Sequence, residues 1–125
     1  KLKHILMIEF IQYSKCGTCR KAAKWLQEHQ ITVESRDIIT ENPTAEELAG
    51  WIKQSGIPAA KFFNTSGLRY KELNLKDKVK TATEEELIAL LASEGKLVKR
   101  PVLSDGTHVL IGFKEEQWSD TLLNK

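Results

Sequence analysis

The sequence predicts an α/β fold, with strands near both ends of the chain and helices between them. Residues 7–12 alternate apolar and polar side chains and residues 31–39 are rich in β-branched ones, so two strands are expected to flank a helix. Capping boxes that begin at Thr44 and Thr83 predict two helices in the middle of the chain. An Asp-Gly turn at Asp105, between two short apolar runs, predicts a β-hairpin near the end.

Length and composition fit one globular domain. The chain has 125 residues, of which 41% are hydrophobic and 29% are charged, and single domains commonly have about 100–150 residues. We expect the domain to span 7–123, because Met7 opens the first strand and is the only methionine. Residues 1–6 are then expected to be a short extension.

Charge and hydropathy argue against nucleic acid and membranes as partners. The formal net charge is +2, and without Lys1 and Lys3 the basic and acidic residues are equal in number, so we expect no direct contact with nucleic acid. No apolar run approaches the ~18–20 residues that a bilayer span needs. The run from Ile5 to Ile8 is too short for a secretion signal. We therefore expect a cytoplasmic protein without a membrane contact, acting as a monomer.

The first half of the chain predicts a strand–helix–strand unit. The helical pattern runs from Gly17 to His29 and lies between the strands over 7–12 and 31–39. A unit of this length implies a right-handed crossover that joins two parallel strands. The apolar stripe expected to face the core consists of Ala22, Ala23, Trp25 and Leu26.

The middle of the chain predicts two capped helices. The helix that follows Thr44 is expected to stop at Gly56, and the helix that follows Thr83 has Gly95 as its candidate C-cap. Residues 64–70 are polar and contain a glycine, so we expect a loop there, followed by a short turn rich in lysine and aspartate.

The C-terminal part predicts a hairpin over 101–111 and an amphipathic helix over 114–123. The order of elements then predicts a thioredoxin-like core with a helical insertion, which separates the N-terminal β-α-β unit from the C-terminal β-hairpin plus helix. Periodicity alone does not settle this fold; the position of the cysteines favours it.

The motif most suited to chemistry is the pair Cys16 and Cys19, where the first strand meets the first helix. Positions three residues apart lie on one face of a helix, so the two sulfurs can approach bonding distance. The N–H groups and dipole of the helix N-terminus favour a thiolate, so we expect Cys16 to have a lowered pKa and to be the nucleophile, with Cys19 as the resolving thiol. Gly17 and Thr18 keep the turn small. Three neighbouring cations are expected to lower the pKa further: Lys15, Arg20 and Lys21.

Two other interpretations of the cysteines remain open. Both could be small buried hydrophobic residues without a chemical role. They could also be half of a zinc site, but the two further ligands would have to come from His29, His108 or carboxylates, and no matching motif is present. We therefore favour redox chemistry and expect no metal.

A second feature is Arg100 followed by Pro101, at the start of the hairpin. A proline that opens a strand next to a redox helix favours a cis peptide bond, which removes a backbone donor and leaves room for a thiol partner. Arg100 is then a well-oriented guanidinium, suited to a thiolate or an oxyanion. The alternative is an ordinary surface arginine.

Together these features resemble the arsenate reductase (ArsC)/Spx family. The resemblance extends over nearly all of 7–123, and it implies a thioredoxin-like fold with a helical insertion. It implies further that Cys16 is the nucleophile and that Arg100 assists at its sulfur or binds an oxyanion. The motifs that carry it are Tyr13-Ser-Lys-Cys-Gly-Thr-Cys-Arg-Lys-Ala22, Glu41-Asn-Pro43, Phe62-Phe-Asn-Thr-Ser-Gly-Leu-Arg-Tyr70 and Lys99-Arg-Pro-Val102.

The sequence departs from the family's arsenate reductases at several positions. Those that depend on glutaredoxin use a lone catalytic cysteine and three arginines around arsenate. Here Asn64 stands at the second arginine position and the third falls in 109–112, which has no arginine. Arg69 is near in sequence and could compensate. Cys19 is an addition, shared with the Spx-like regulators. The expected substrate-binding residues are Gly17, Thr18, Asn64, Arg69, Arg100 and Pro101.

Two functions follow from the resemblance. The first is a thiol-dependent oxidoreductase of the arsenate reductase type without a bound cofactor, which receives electrons from glutathione and glutaredoxin or from thioredoxin and is expected to reduce arsenate poorly. The second is an Spx-like redox-sensing regulator that binds the RNA polymerase α subunit. Residues 56–58 do not resemble the polymerase-contact surface of such regulators, so we prefer the first.

Overall fold

The computed structural model describes residues 8–123, so the expected extension at 1–6 and the strand start at Met7 lie outside the described residues. None of the helices in the described range is long and apolar enough to cross a bilayer. The strands are β1 (Glu9–Gln12), β2 (Glu34–Asp37), β3 (Val102–Ser104) and β4 (Val109–Ile111). The helices are α1 (Gly17–Glu28), α2 (Ala45–Ser55), α3 (Leu68–Glu72), α4 (Lys78–Thr81), α5 (Glu84–Ser93) and α6 (Glu115–Leu122), with 3-10 turns at Ala59–Phe62 and Gly95–Leu97.

The strands form one mixed sheet in the order β2-β1-β3-β4. β3 pairs antiparallel with both of its neighbours, so that Leu103 lies opposite Phe10 of β1 and Leu110 of β4. The hairpin expected from the Asp-Gly turn is therefore confirmed. At the other side, β2 lies next to β1, and α1 connects these two strands. The sheet thus has the expected β-α-β unit at its N-terminal side and the hairpin at its C-terminal side.

β2 is shorter than the expected strand over 31–39. The carboxylate of Asp37 accepts hydrogen bonds from the N–H groups of Ile39 (2.7 Å) and Thr40 (3.1 Å). This Asx turn takes the backbone donors that would otherwise continue the ladder, so the strand ends at Asp37.

Contacts group the chain into two compact units, and each has its own core. The first unit contains the residues up to Arg36 and those from Arg100 onward; the second is Asp37–Lys99. A single domain over 7–123 stays a prediction.

In the first unit Trp118 is fully buried, makes an edge-to-face contact with Phe10 and donates from Nε1 to the carbonyl oxygen of Gly112 (3.1 Å). Burial of each such large side chain stabilises a fold by about 1.5–3 kcal/mol.

The stripe on α1 is confirmed at three of its four positions. Ala22, Trp25 and Leu26 are buried in the core of the first unit. Ala23 is exposed, so its expected place in the core is wrong. The reason is geometric, since Ala23 lies about 100° around the helix from Ala22 and falls outside the arc that faces the sheet.

The second unit confirms both capping boxes. Thr44 accepts from the N–H of Glu47 at the start of α2, and Thr83 accepts from the N–H of Glu86 at the start of α5; each glutamate bonds back to the N–H of its threonine. Gly56 ends α2 in the left-handed conformation (φ 71°), as its position predicts. Leu48 and Leu91 are fully buried where α2 packs against α5.

Two expectations for the second unit are wrong. Gly95 is not a helix cap: Glu94 follows α5 in an extended conformation, and Gly95 begins a 3-10 turn. A side chain at Gly95 would collide with the backbone carbonyl oxygen of Ile38, so close approach is what requires glycine there. The segment from 64 onward is also more ordered than a loop, since it includes the short helices α3 and α4.

Candidate functional site

The turn between β1 and α1 places Cys16 at the N-cap of α1, as the motif predicts. The N–H of Cys16 donates to the carbonyl oxygen of Tyr13 (3.0 Å), and the N–H of Arg20 donates to that of Cys16 (3.1 Å). Cys16 itself has extended dihedral angles and is partly buried. The neighbouring residues Gly17 and Thr18 are exposed, so the approach to the thiol is lightly shielded.

Cys19 lies one helical turn later and is fully buried. Its sulfur accepts a hydrogen bond from the backbone N–H of Tyr13 (3.4 Å) and contacts the thiol of Cys16. Neither cysteine forms a disulfide. The spacing of three residues therefore brings the two sulfurs together, with one accessible and the other enclosed.

Opposing effects act on the pKa of Cys16. Partial burial raises it, because a thiolate loses hydration, but hydrogen bonds from the backbone N–H and the thiol of Cys19 lower it. The guanidinium of Arg100 lowers it further, through a hydrogen bond and its positive charge. The lowering effects prevail, so the pKa of Cys16 lies below its ordinary value.

The pKa of Cys19 moves in the opposite direction. Burial raises the pKa of Cys19 to about 12, and the hydrogen bond and negative charge of Cys16 contribute to the rise, while the N–H of Tyr13 opposes it. Cys19 therefore keeps its proton while Cys16 is a thiolate. The thiol of Cys19 in turn donates a hydrogen bond to the Cys16 sulfur and stabilises its negative charge.

Arg100 is the cation next to this pair. Its peptide bond to Pro101 is cis, as the sequence predicts, and Pro101 is buried, with its carbonyl oxygen accepting from the N–H of Gly112 (2.9 Å). The guanidinium carbon of Arg100 lies over the ring of Tyr13, 5.2 Å from its centroid. Arg20, one of the expected neighbours, donates instead to the carbonyl oxygen of Ser14 (3.0 Å).

Sequence reasoning missed Tyr13. The residue contacts both cysteines through its backbone and Arg100 through its ring. Its backbone contacts are available to any residue at this turn, and its ring contact joins residues 87 positions apart in the chain. The only signal in the sequence is an aromatic residue in an otherwise polar turn.

Asn64 and Arg69, the other expected substrate-binding residues, belong to the second unit. Asn64 closes a turn in which its carbonyl oxygen accepts from the N–H of Gly67 (3.0 Å). Arg69 donates from Nε to both carboxylate oxygens of Glu94 (2.7 and 2.9 Å) and lies 3.4 Å from Glu72. The charge of Arg69 is thus already met by carboxylates, and a substrate-binding role for either residue stays a prediction.

Metal ligands do not gather in residues 8–123: no three His, Cys, Asp or Glu side chains there form a group that could hold an ion. The two histidines considered for a zinc site have other partners. His29 contacts the carbonyl oxygen of Trp25 through Nδ1 (2.9 Å), and His108 lies 3.2 Å from the carboxylate of Asp105.

The chain is similar to known proteins over most of its length. The model of the ArsC family matches residues 11–121. The Bacillus subtilis protein YusI is 48% identical over 115 residues, which are 92% of this chain and 98% of YusI. The regulatory protein MgsR of the same bacterium is 33% identical over 106 residues, 85% of this chain and 82% of MgsR. Further relatives are named global transcriptional regulator Spx.

Solved structures agree with the architecture. A Bacteroides fragilis protein described as related to the ArsC family has a TM-score of 0.88 and 55% identity, covering 91% of this chain and 97% of its own. A Streptococcus mutans protein described as a possible arsenate reductase has a TM-score of 0.83 and 37% identity, covering 92% and 99%. The predicted thioredoxin-like α/β fold with a helical insertion is therefore confirmed.

Proposed function

The chain belongs to the ArsC family, and on that basis we propose that it is a thiol-dependent oxidoreductase that uses Cys16 as nucleophile and Cys19 as resolving thiol. The observation that carries the proposal is the contact between two thiols within one helical turn, with Cys16 at the N-cap of α1 and Cys19 buried. This arrangement lowers the pKa of Cys16 and raises that of Cys19 to about 12. Perturbed pKa values of this kind are typical of sites that carry out chemistry.

The first step is attack by the Cys16 thiolate on a sulfur of a disulfide substrate. A bond forms between the Cys16 sulfur and the attacked sulfur, the substrate's S–S bond breaks, and one substrate half leaves as a thiolate. Arg100 assists because it favours the charged form of Cys16. Exposure of Gly17 and Thr18 leaves the approach to Cys16 open to a second sulfur.

The second step is resolution by Cys19. Once Cys16 is in a mixed disulfide its negative charge is gone, and with it one of the causes that raise the pKa of Cys19. Cys19 then loses its proton to solvent, attacks the Cys16 sulfur and expels the second substrate thiolate. The substrate disulfide has gained two electrons and the two cysteines have become an internal disulfide. A dithiol donor, glutaredoxin with glutathione or thioredoxin, returns both electrons, and no bound cofactor takes part.

We place arsenate among the poor substrates. A desolvated oxyanion needs several charge-assisted hydrogen bonds, each contributing about 1.5–3 kcal/mol. Asn64 replaces one family arginine, residues 109–112 supply none, and Arg69 is held by Glu94 and Glu72. Loss of two such contacts weakens transition-state binding by about 3–6 kcal/mol, or roughly two to four decades in rate.

A second candidate function is that of a redox-responsive regulator. It is favoured by the relatives named regulatory protein MgsR and global transcriptional regulator Spx, together with a cysteine pair able to close into a disulfide. In this function the redox state of Cys16 and Cys19 would change binding to the RNA polymerase α subunit. Both functions need a reducing compartment, so we propose that the protein acts in the cytoplasm. We propose separately that it acts as a monomer.

The two functions are separated by turnover measured with two substrates and two electron donors. We expect a glutathionylated peptide to be reduced with at least one of the glutaredoxin/glutathione and thioredoxin systems, and arsenate to be reduced at least a hundredfold more slowly. Cys16→Ser removes both activities. Arsenate turnover equal to that of the disulfide contradicts the substrate assignment. Absence of all turnover, with the α subunit bound in only one redox state, establishes the regulator instead.

A further inference from the structure

We propose that Tyr13 is a positioning residue for this thiol chemistry: its ring holds the guanidinium of Arg100 against the sulfur of Cys16. The proposal rests on the proposed function, since it concerns the activation of the same nucleophile. It goes beyond that function by assigning a role to a side chain that neither the cysteine motif nor the arginine–proline pair includes.

The backbone of Tyr13 is fixed to both cysteines. Its N–H donates to the sulfur of Cys19 (3.4 Å), and its carbonyl oxygen accepts from the N–H of Cys16 (3.0 Å). Both contacts are made by the main chain, so a substitution at this position leaves them in place. They also fix where the Tyr13 side chain begins relative to the two sulfurs.

The ring of Tyr13 contacts the guanidinium of Arg100. The Cζ atom of Arg100 lies 5.2 Å from the ring centroid, within the range of a cation–π contact. A guanidinium held over a ring still has N–H groups that can donate to another acceptor. Here that acceptor is the sulfur of Cys16. The ring therefore restricts a long, flexible side chain to the orientation that serves the thiolate.

The charged and titratable groups around Cys16 allow this contribution to be measured. Cys19 acts on Cys16 through its N–H and its thiol, and Arg100 acts through its charge and a hydrogen bond. The guanidinium of Arg20 donates elsewhere, to Ser14. Removal of the Tyr13 ring should therefore weaken only what Arg100 supplies, and the effect of Cys19 should persist.

The test is the pH dependence of iodoacetamide alkylation at Cys16 in Tyr13→Leu and Tyr13→Phe, each alone and combined with Arg100→Ala. In Tyr13→Leu we expect the midpoint to rise by about half a pH unit. Tyr13→Phe keeps the ring and should keep the wild-type midpoint. In the Arg100→Ala background, Tyr13→Leu should produce no further shift, because there is no guanidinium left to position.

Each outcome decides a different point. An unchanged midpoint in Tyr13→Leu, or an equal shift with and without Arg100, overturns the role of Tyr13 and leaves the proposed function standing. A wild-type midpoint at or above about 8.5, the usual value for a thiol, overturns the proposed function itself. Far-ultraviolet circular dichroism verifies folding. If Tyr13→Leu does not fold, Tyr13→Gln, which also lacks a ring, provides the same comparison.

Discussion

Cys16 and Cys19 lie in one helical turn, yet their surroundings differ. Cys16 is partly accessible and receives hydrogen bonds that favour its negative charge, whereas Cys19 is fully buried next to that charge. The pKa of Cys16 is therefore lowered while that of Cys19 is raised, so Cys16 loses its proton first as pH rises. The pair can therefore offer Cys16 as a nucleophile while Cys19 keeps its proton.

Selective alkylation follows from the same difference at the residue scale. With a pKa of about 12, on the order of one Cys19 in ten thousand is a thiolate at pH 8. We expect iodoacetamide at pH 8 to add one group per folded chain, at Cys16, and a second group only after denaturation. Cys16→Ser is the matched control and should stay unmodified while folded. Two adducts that form at similar rates would be incompatible with the burial of Cys19.

Contacts within one helical turn can be predicted from the sequence, whereas contacts between distant residues are harder to predict. The spacing of the cysteines is enough to predict that their sulfurs meet, because helix geometry is local. The cation that acts on Cys16 is Arg100, as the resemblance implies, whereas the nearby Arg20, also expected to act there, donates to Ser14. The contact between the ring of Tyr13 and Arg100 joins residues 87 positions apart, and no local pattern predicts it. Tyr13 is therefore missed from the sequence.

Local signals predict helix starts well, because a capping box satisfies orphan N–H groups with side chains only three residues away.

Thr44→Ala and Thr83→Ala should each lower the free energy of unfolding by about 1 kcal/mol, through loss of the cap at α2 or α5. Urea denaturation measures this change. Thr40→Ala, at an exposed threonine in a turn, is the control and should stay within about 0.5 kcal/mol of the wild type. A cap variant with no change would mean that the box adds nothing to stability.

The turn between β3 and β4 makes the free energy of unfolding depend on pH, through the carboxylate of Asp105. Asp105 is only 8% exposed. Burial raises its pKa, but hydrogen bonds from the N–H groups of His108 (2.6 Å) and Thr107 (2.9 Å) prevail and lower it. A lowered pKa gives stability that is present above the unfolded value of about 3.9 and is lost as pH falls through the folded value.

Asp105→Asn tests this assignment. The amide keeps an acceptor oxygen but loses the charge, so we expect it to lower the free energy of unfolding by about 1–2 kcal/mol near pH 7. The difference from the wild type should shrink as pH falls below about 4, because Asp105 takes up a proton in the unfolded chain before it does so in the folded one. Urea denaturation at several pH values gives this curve. A difference that is constant down to about pH 2 would show that the charge of Asp105 does not stabilise the turn.

Other elements differ from their expected form because of contacts that a sequence pattern does not contain. β2 ends at Asp37, whose side chain competes for the strand's backbone donors. The position of Gly95 after a helix predicts a cap, but what requires glycine there is the close approach of the carbonyl oxygen of Ile38, 57 residues earlier. Periodicity gives the type of an element more reliably than its limits.

For the whole molecule, the order of elements together with the position of the cysteine pair predicts the fold class. A β-α-β unit, a helical insertion and a hairpin with a helix leave few other arrangements that pack both faces of a small sheet. The division of contacts into two units was not predicted, since composition shows no shift or linker at 36 or 100. Membership of the ArsC family is shown by the comparisons, whereas the preference for disulfides over arsenate is part of the proposed function.

The most direct test of the central claim is the mass of the protein after one turnover with a glutathionylated peptide and no electron donor. The wild type should lose two hydrogens, with a Cys16–Cys19 disulfide in the peptide map, because Cys19 displaces glutathione from Cys16. Cys19→Ser should instead retain one glutathione on Cys16. A wild type that keeps glutathione, or that forms dimers through Cys16, would contradict the assignment of Cys19 as the resolving thiol.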